Sequence, residues 1–452
     1  MKPVNRIIYM PVLRILGRTG LLQKLNRVGA VSLYRNALYL VASSVITTSL
    51  GFFFWMIVAR FYSTTEVGLG SAIISAMNLI ALLSIFGLSS SLIRFLPQAV
   101  NPRQMINSFF TLSGIASLVI AVIFIVGTDF WSPALSFIKD NAIFFLAFLA
   151  MAVLFTLSPL VNSVFIARRR DVFVLFKDTT VSLLKIFLVI GFATFLHTFG
   201  VVASWTIALG TAVFMAILLF LPRVEESYKP VPSINLSQVR AVRRYTVSSY
   251  LISLLSRVPI SILPLMVVNV LGTEDNAHFY VAWTIASLLS IVSLSISQSL
   301  FAEASHSQSD IKQNVTKSII FTVILLMPAL IVLIAAGKWI LLAFGPSYSA
   351  NALGLLWLLG ISSIPRGIIL IYSGVLRAQD RLRELLVIRS FIAAAVLIAS
   401  WFVIPEYGII GIGYIWLGVQ VFVSIAIAPQ LVRQASLFGR VKEEEWEDVD
   451  NF

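Results

Sequence analysis

Cysteine is absent from the 452 residues, which excludes disulfides and thiolate metal sites and leaves the redox compartment unmarked. Charge is scarce: 12% of residues are Asp, Glu, Lys or Arg, against about a quarter in soluble domains. Acid is scarcer than base, with 20 Asp and Glu beside 33 Lys and Arg and a net charge of +13. No G-x-x-x-x-G-K-[ST] run is present, so nothing resembles an ATP site. The three histidines, His197, His278 and His306, lie near span ends without metal-ligand spacing, and no metal or cofactor is expected.

What remains is apolar. Hydrophobic residues make up 59% of the chain and its mean hydropathy is +0.95, which marks an integral membrane protein with little room for a soluble domain. Apolar runs fall at 37–59, 67–93, 107–127, 141–166, 173–196, 200–221, 246–271, 277–301, 318–336, 350–376, 385–404 and 408–431. Their lengths suit helices, and long alternating segments of the kind an outer-membrane barrel needs are missing. The expected fold is all-α and membrane-embedded, with twelve transmembrane helices.

Nearly all Lys and Arg outside the spans belong to the N-terminus, every second connection and the C-terminus; only Arg60, Lys139 and Lys338 lie in the alternate connections. Retention of positive charge in the cytoplasm then places both termini there, in a multi-pass protein of the cytoplasmic membrane. The basic residues form short loops rather than one soluble face, so nucleic acid is not an expected partner. Residues 1–36 carry Lys2, Arg6, Arg14, Arg18, Lys24, Arg27 and Arg35 without an acid. Arg14 splits what would be the apolar core of a signal peptide, so this segment reads as an interfacial arm on membrane lipids.

Shifted by about 210 residues, the chain overlies itself. Ala59, Thr65, Glu66 and Gly70 fall on Asn269, Asp275, Asn276 and Tyr280; Ile166, Ala167 and Arg168 fall on Leu376, Arg377 and Ala378. With the offset slipping by two, Phe199, Gly200 and Val201 fall on Tyr407, Gly408 and Ile409. Six spans separate the copies, so both enter the membrane in the same direction, a parallel repeat. The expected divisions are an N-lobe at 37–221, a cytoplasmic linker at 222–245 with Pro222, Pro230 and Pro232, a C-lobe at 246–432 and an acidic tail at 433–452.

Lys185, Arg257 and Arg366 stand near the middle of their spans, with no Asp or Glu at comparable depth. A cation at the centre of a bilayer costs at least ~2.5 kcal/mol on insertion scales, so these three should face a wet interior and meet an anion brought by the ligand. Arg257 is roughly 16 Å from the near end of its span at 1.5 Å per residue, too far to snorkel easily. The competing role for Arg257 is to bond carbonyls freed by Pro259 and Pro264, and for Arg366 one freed by Pro365. Asp178 lies two turns before Lys185, close enough to share a cavity without a direct ion pair. In the seventh span Thr246, Ser249, Tyr250, Ser253, Arg257 and Ser261 fall on one side. The repeat sets Thr47 of the first span over Arg257, and Asn78 and Gln298 extend the polar surface onto the second and eighth. Close packing of membrane helices is the bland account of such serines. Arg60 and Arg94, at opposite span ends, are candidate gate cations or interfacial anchors.

The run VARFYSTTEVGLGSAIISAMNLIALLSIFGLSSSLIRFLPQ at 58–98 resembles the first-to-second helix signature of polysaccharide transporters in the MOP exporter superfamily (multidrug, oligosaccharidyl-lipid, polysaccharide), the Wzx-like flippases. FGPSYSANALGLLWLLGISSIP at 344–365, GVLRAQDRLRELL at 374–386 and PEYGIIGIGYIW at 405–416 are similar to the C-terminal region of the same family. The resemblance covers about residues 36–433. It implies two six-helix lobes around a central cavity, alternating access, and export of a polyprenyl-linked oligosaccharide for cell-surface polysaccharide, with polysaccharide-assembly proteins as potential partners. Arginine forks suit a diphosphate, which agrees with the unbalanced cations. The rivals are a multidrug or metabolite exporter of the same superfamily, whose cationic drugs would want an acidic cavity, and a membrane glycosyltransferase or ligase. The external connections are short for such an enzyme, and no catalytic residues are expected.

Overall fold

In lipid a backbone N–H or C=O has only its own chain to bond, so each apolar run closes into a helix. The computed structural model describes residues 32–194, 196, 198–226, 228–306, 311–379 and 381–449. Most of the expected N-terminal arm, through residue 31, and residues 450–452 of the tail lie outside the described residues, as do the side chains from 432 onward.

The N-lobe comprises α1 (Ser32–Phe61), α2 (Thr64–Ile85 continued by Leu88–Phe95), α3 (Pro102–Val126), α4 (Ala142–Ala167), α5 (Val172–Phe192) and α6 (Thr198–Met215, extended through a π turn to Val224). The C-lobe comprises α7 (Leu236–Val270), α8 (Thr273–His306), α9 (Ile311–Phe344) and α10, built from Pro346–Asn351, Leu353–Ile361 and Ser363–Ala378. It ends in a helical stretch, Leu382–Val449, that Gly408 divides. Gly408 takes φ 58° and ψ −150°, a backbone open to glycine alone at little cost, and so separates α11 (382–407) from α12 (409–449). This is the turn that the internal repeat marks.

Helix 7 begins ten residues before its expected start. Asn235 accepts from the N–H groups of Ser237 and Gln238, and the next ten residues, with Arg240, Arg243 and Arg244, form the polar first turns of α7 rather than linker. The non-helical connection is correspondingly short, and its Lys229, Ser233 and Asn235 are held by Asn107, Thr111 and Ser108 of α3.

Helix 5 packs between α1 and α6, α8 lies against α10, and the lobes meet along α2, α7 and α8. Large apolar side chains also line the outside, among them Val119 and Ile123 of α3, Phe321 and Ile331 of α9, and Trp401 and Phe402 of α11. Such a surface requires lipid as its solvent. One end of the bundle carries the loop arginines such as Arg168, Arg223 and Arg381 (the basic end); the other carries Arg60, Lys139 and Lys338 (the far end).

Candidate functional site: the space between the lobes

At the far end the lobes are locked. Gly68 of α2 sits so close to the start of α8 that a Cβ there would lie 1.8 Å from the Thr273 carbonyl oxygen. This contact lets fully buried Asn276 donate to the Gly68 carbonyl at 2.8 Å and to Ser71 Oγ at 3.0 Å. Arg60 donates to the carbonyls of Leu342 and Ala343, both at 2.7 Å, where α9 ends with unpaired acceptors and a partial negative charge. Trp55 packs on Tyr280 and Phe52 on Phe344, and the Ala134 N–H donates to Asn269 Oδ1. Arg60 therefore bonds across the interface instead of floating at the lipid boundary.

Toward the basic end a second seam joins α2 to α7. Ser91 and Thr246 share a hydrogen bond of 2.6 Å, Tyr250 donates to the Leu83 carbonyl at 3.5 Å, and the Arg94 guanidinium lies 4.4 Å from the centre of the Tyr245 ring. Thr246 and Tyr250 of the α7 polar stripe thus serve helix packing. Phe52, Trp55 and Arg60, all in the last third of α1, make ring and hydrogen-bonded contacts with the C-lobe.

The α2–α7 contacts run antiparallel, and extending their register sets Arg257 level with residues 76 to 80, Asn78 among them. Asn78 is two turns beyond Ser71, on the side of α2 that addresses α8, yet it is exposed. At this depth α8 therefore leaves the Asn78 side chain uncovered. Arg257 is exposed at the same level and has no hydrogen bond or ion pair among the described residues, including none to the carbonyls freed by Pro259 and Pro264. Ser253 is half-buried and Ser261 buried on the same face. Thr47 donates to the Ser43 carbonyl within its own helix. The side chain of Gln298 lies outside the described residues.

The other two midmembrane cations are held by rings. In the N-lobe Lys185, 5% exposed, lies with its ammonium 4.1 Å from the Trp205 ring centre and 4.8 Å from that of Phe54. In the C-lobe Arg366 lies 5.6 Å from the ring centre of Trp416 and donates to Ser290 Oγ at 3.1 Å. Each lobe thus holds a cation against a tryptophan of its last helix. An indole face attracts a cation by about 2 kcal/mol when water is excluded, which offsets part of the burial cost without a carboxylate. No sequence spacing announced these partners, nor the far-end bond of Asn276.

Asp178 stays apart from Lys185. It accepts from Asn162 at 3.1 Å, from Ser43 at 3.5 Å and pairs with Lys177 at 2.8 Å. The count of cations by connection groups Lys177 with the loop residues Arg168, Arg169 and Arg170, but its side chain is fully buried and also donates to Ser158 Oγ at 2.7 Å. Breaking a buried ion pair strands a charge and costs about 3 kcal/mol, whereas replacing both members is close to neutral. Asp178→Asn should therefore lower the melting temperature in detergent, and adding Lys177→Met should recover most of the loss. A double variant no more stable than the single one would remove the pair from this account.

Residues 57–352 match a family model described as polysaccharide biosynthesis protein. Among solved structures, the chain is similar to the lipid II flippase MurJ in an inward closed conformation, with a TM-score of 0.72 at 11% identity over 89% of this chain and 90% of that one. It is also similar to an inward-facing multidrug resistance MATE family transporter of the MOP superfamily, with a TM-score of 0.63 at 12% identity over 89% and 95%. A third is a MOP superfamily transporter from Pyrococcus furiosus described as having a binding pocket of reverse polarity, with a TM-score of 0.56 at 12% identity over 90% and 96%. No curated protein sequence matches the chain. At these identities the likeness establishes the fold: twelve helices in two six-helix lobes.

Proposed function

Since the chain belongs to the polysaccharide biosynthesis protein family, whose model spans residues 57–352, we propose that it is a flippase for a polyprenyl-diphosphate-linked oligosaccharide, working by alternating access in the cytoplasmic membrane to supply cell-surface polysaccharide. Family and fold make it a MOP-type membrane transporter rather than an enzyme. The observation that carries the finer reading is Arg257, an exposed guanidinium at mid-depth, level with Asn78 in the register of α7 against α2, with no protein anion to answer it among the described residues. A diphosphate answers it, since two phosphate oxygens match the fork of an arginine and form charge-assisted bonds.

In this reading the basic end faces the cytoplasm and the far-end lock is the outward gate. Cargo enters from the basic side; its diphosphate neutralises Arg257, and its glycan fills the space between the lobes. The Arg60 and Asn276 bonds then break while contacts at the basic end close, and the head faces outward. The polyprenyl tail stays in lipid throughout. A cationic-drug exporter fits less well, because Asp178, which lies in the second turn of α5, is already paired with Lys177.

Proteoliposomes test the proposal. The purified chain should move a fluorescent polyprenyl-diphosphate oligosaccharide and leave behind the same glycan on a phosphate-free lipid. An imposed potential should change the rate, at about 2.3 kcal/mol per charge per 100 mV. Equal movement of both lipids would overturn the diphosphate reading, and movement of cationic dyes alone would favour the multidrug rival.

A further inference from the structure

Arg366 of α10 is a cation inside the C-lobe, and the protein around it answers little of its charge. Arginine has five N–H donors. Among the described residues, the one hydrogen bond from this side chain goes to Ser290 Oγ of α8, at 3.1 Å. Because that oxygen is the acceptor, the Ser290 hydroxyl keeps its own hydrogen to donate. One turn before Arg366, on the same face of α10, Ser363 is 3% exposed and its hydroxyl has no partner within the protein. A buried hydroxyl left unpaired costs free energy until something bonds it. Arg366, Ser290 and Ser363 border one narrow spot between α8, α10 and α12, with Trp283 and Trp416 as further walls, and no carboxylate side chain of the described residues borders it. The Trp416 ring, its centre 5.6 Å from the guanidinium, attracts the charge but does not cancel it.

We propose that this spot binds a chloride ion, the fixed counter-ion of Arg366. What converges here is a set of donors: guanidinium N–H groups and two hydroxyls with hydrogens to give. A monatomic anion accepts from all of them at once and cancels a charge that is costly at this depth. A water molecule accepts from two at most, brings two hydrogens that need acceptors of their own, and leaves the guanidinium charged. A phosphate, an organic acid or a sugar would have to displace Trp416, 4% exposed, and Ser363. The ion joins Ser290 of α8 to Ser363 and Arg366 of α10, so it fastens two helices of one lobe and stays in place while cargo passes. It is part of the lobe rather than cargo, and the inference holds whatever the chain transports.

Melting curves of the full-length chain in detergent, at equal ionic strength in sodium chloride, sodium bromide or sodium gluconate, test this without transport. Chloride and bromide should each raise the melting temperature above that in gluconate by at least ~2 °C, because an ion bound only to the folded state stabilises it. Arg366→Gln should abolish the difference between halide and gluconate. Ser363→Ala keeps the cation, loses one donor and should reduce the difference, and it decides the matter if Arg366→Gln does not fold. Crystals grown in bromide should show an anomalous peak in contact with both Arg366 and Ser363. Equal melting in all three salts, a halide effect undiminished in either variant, or bromide crystals without a peak at this spot overturns the proposal.

Discussion

Gly68→Ala should hold the lobes apart at the far end and cut transport by about 30-fold or more. The new methyl group would lie 1.8 Å from the Thr273 carbonyl oxygen and 2.6 Å from its carbon, and neither backbone atom can swing aside as a side-chain tip would. Helices 2 and 8 must separate, and the Asn276 amide loses its bonds to the Gly68 carbonyl and Ser71. Each buried group left unpaired costs roughly 1–3 kcal/mol. Two such losses shift the equilibrium between closed and open far ends by at least about 30-fold, at 1.4 kcal/mol per factor of ten. The absence of native cysteine makes the measurement direct. Spin labels on Thr65→Cys and Glu274→Cys, near the contact on opposite lobes, should report a longer distance in the Gly68→Ala background. An unchanged distance with full transport would mean that this contact does not gate the chain.

Arg257→Ala should lower the initial rate of diphosphate-lipid transport about 100-fold or more while leaving thermal stability unchanged. The two halves of that expectation come from one fact. Because Arg257 makes no hydrogen bond or ion pair within the described protein, its loss removes nothing from the fold. A charge-assisted hydrogen bond is worth roughly 1.5–3 kcal/mol, so a two-pronged contact with the cargo accounts for a hundredfold or more. Arg257→Lys keeps the charge but loses the planar fork, and should fall between the two. Initial rates in proteoliposomes, with melting curves of the same preparations, check both halves. A normal rate in Arg257→Ala would place the diphosphate elsewhere, and a large drop in melting temperature would make the residue structural.

The helices were legible wherever hydropathy changes sharply, because lipid imposes the same demand on every span. Legibility failed where a helix leaves the lipid. The first ten residues of α7 and the first seven of α9 are polar enough to pass for loop, although Asn235 followed by Ser237 and Gln238 is a capping signal that would have extended α7. Lys177 misled in the opposite direction, since a lysine beside three loop arginines gives no hint that its neighbours in space are Ser158 and Asp178. The midmembrane cations stood out because a charge in an apolar run is costly. Their partners did not, because Trp205 and Trp416 are twenty and fifty residues further along the chain and resemble any other membrane aromatic. The expectation was that all three cations face a wet interior and meet an anion brought by the ligand. Lys185 and Arg366 rest instead on indoles, and Arg257 alone of the three makes no hydrogen bond, ion pair or ring contact among the described residues.

The packing of α2 on α7 toward the basic end and on α8 at the far end, with α1 reaching the C-lobe through Phe52, Trp55 and Arg60 of its last third, gives the molecule the build of a book bound along one edge. Under the proposed alternating access its covers would part on the side away from the binding, and a greasy chain hanging from a guest in the middle would have one slot to hang through. The guest's girth is then limited by how far the covers spread, while the length trailing outside the slot is indifferent to the machinery. Prenyl chains of very different length would ride equally well behind the same head.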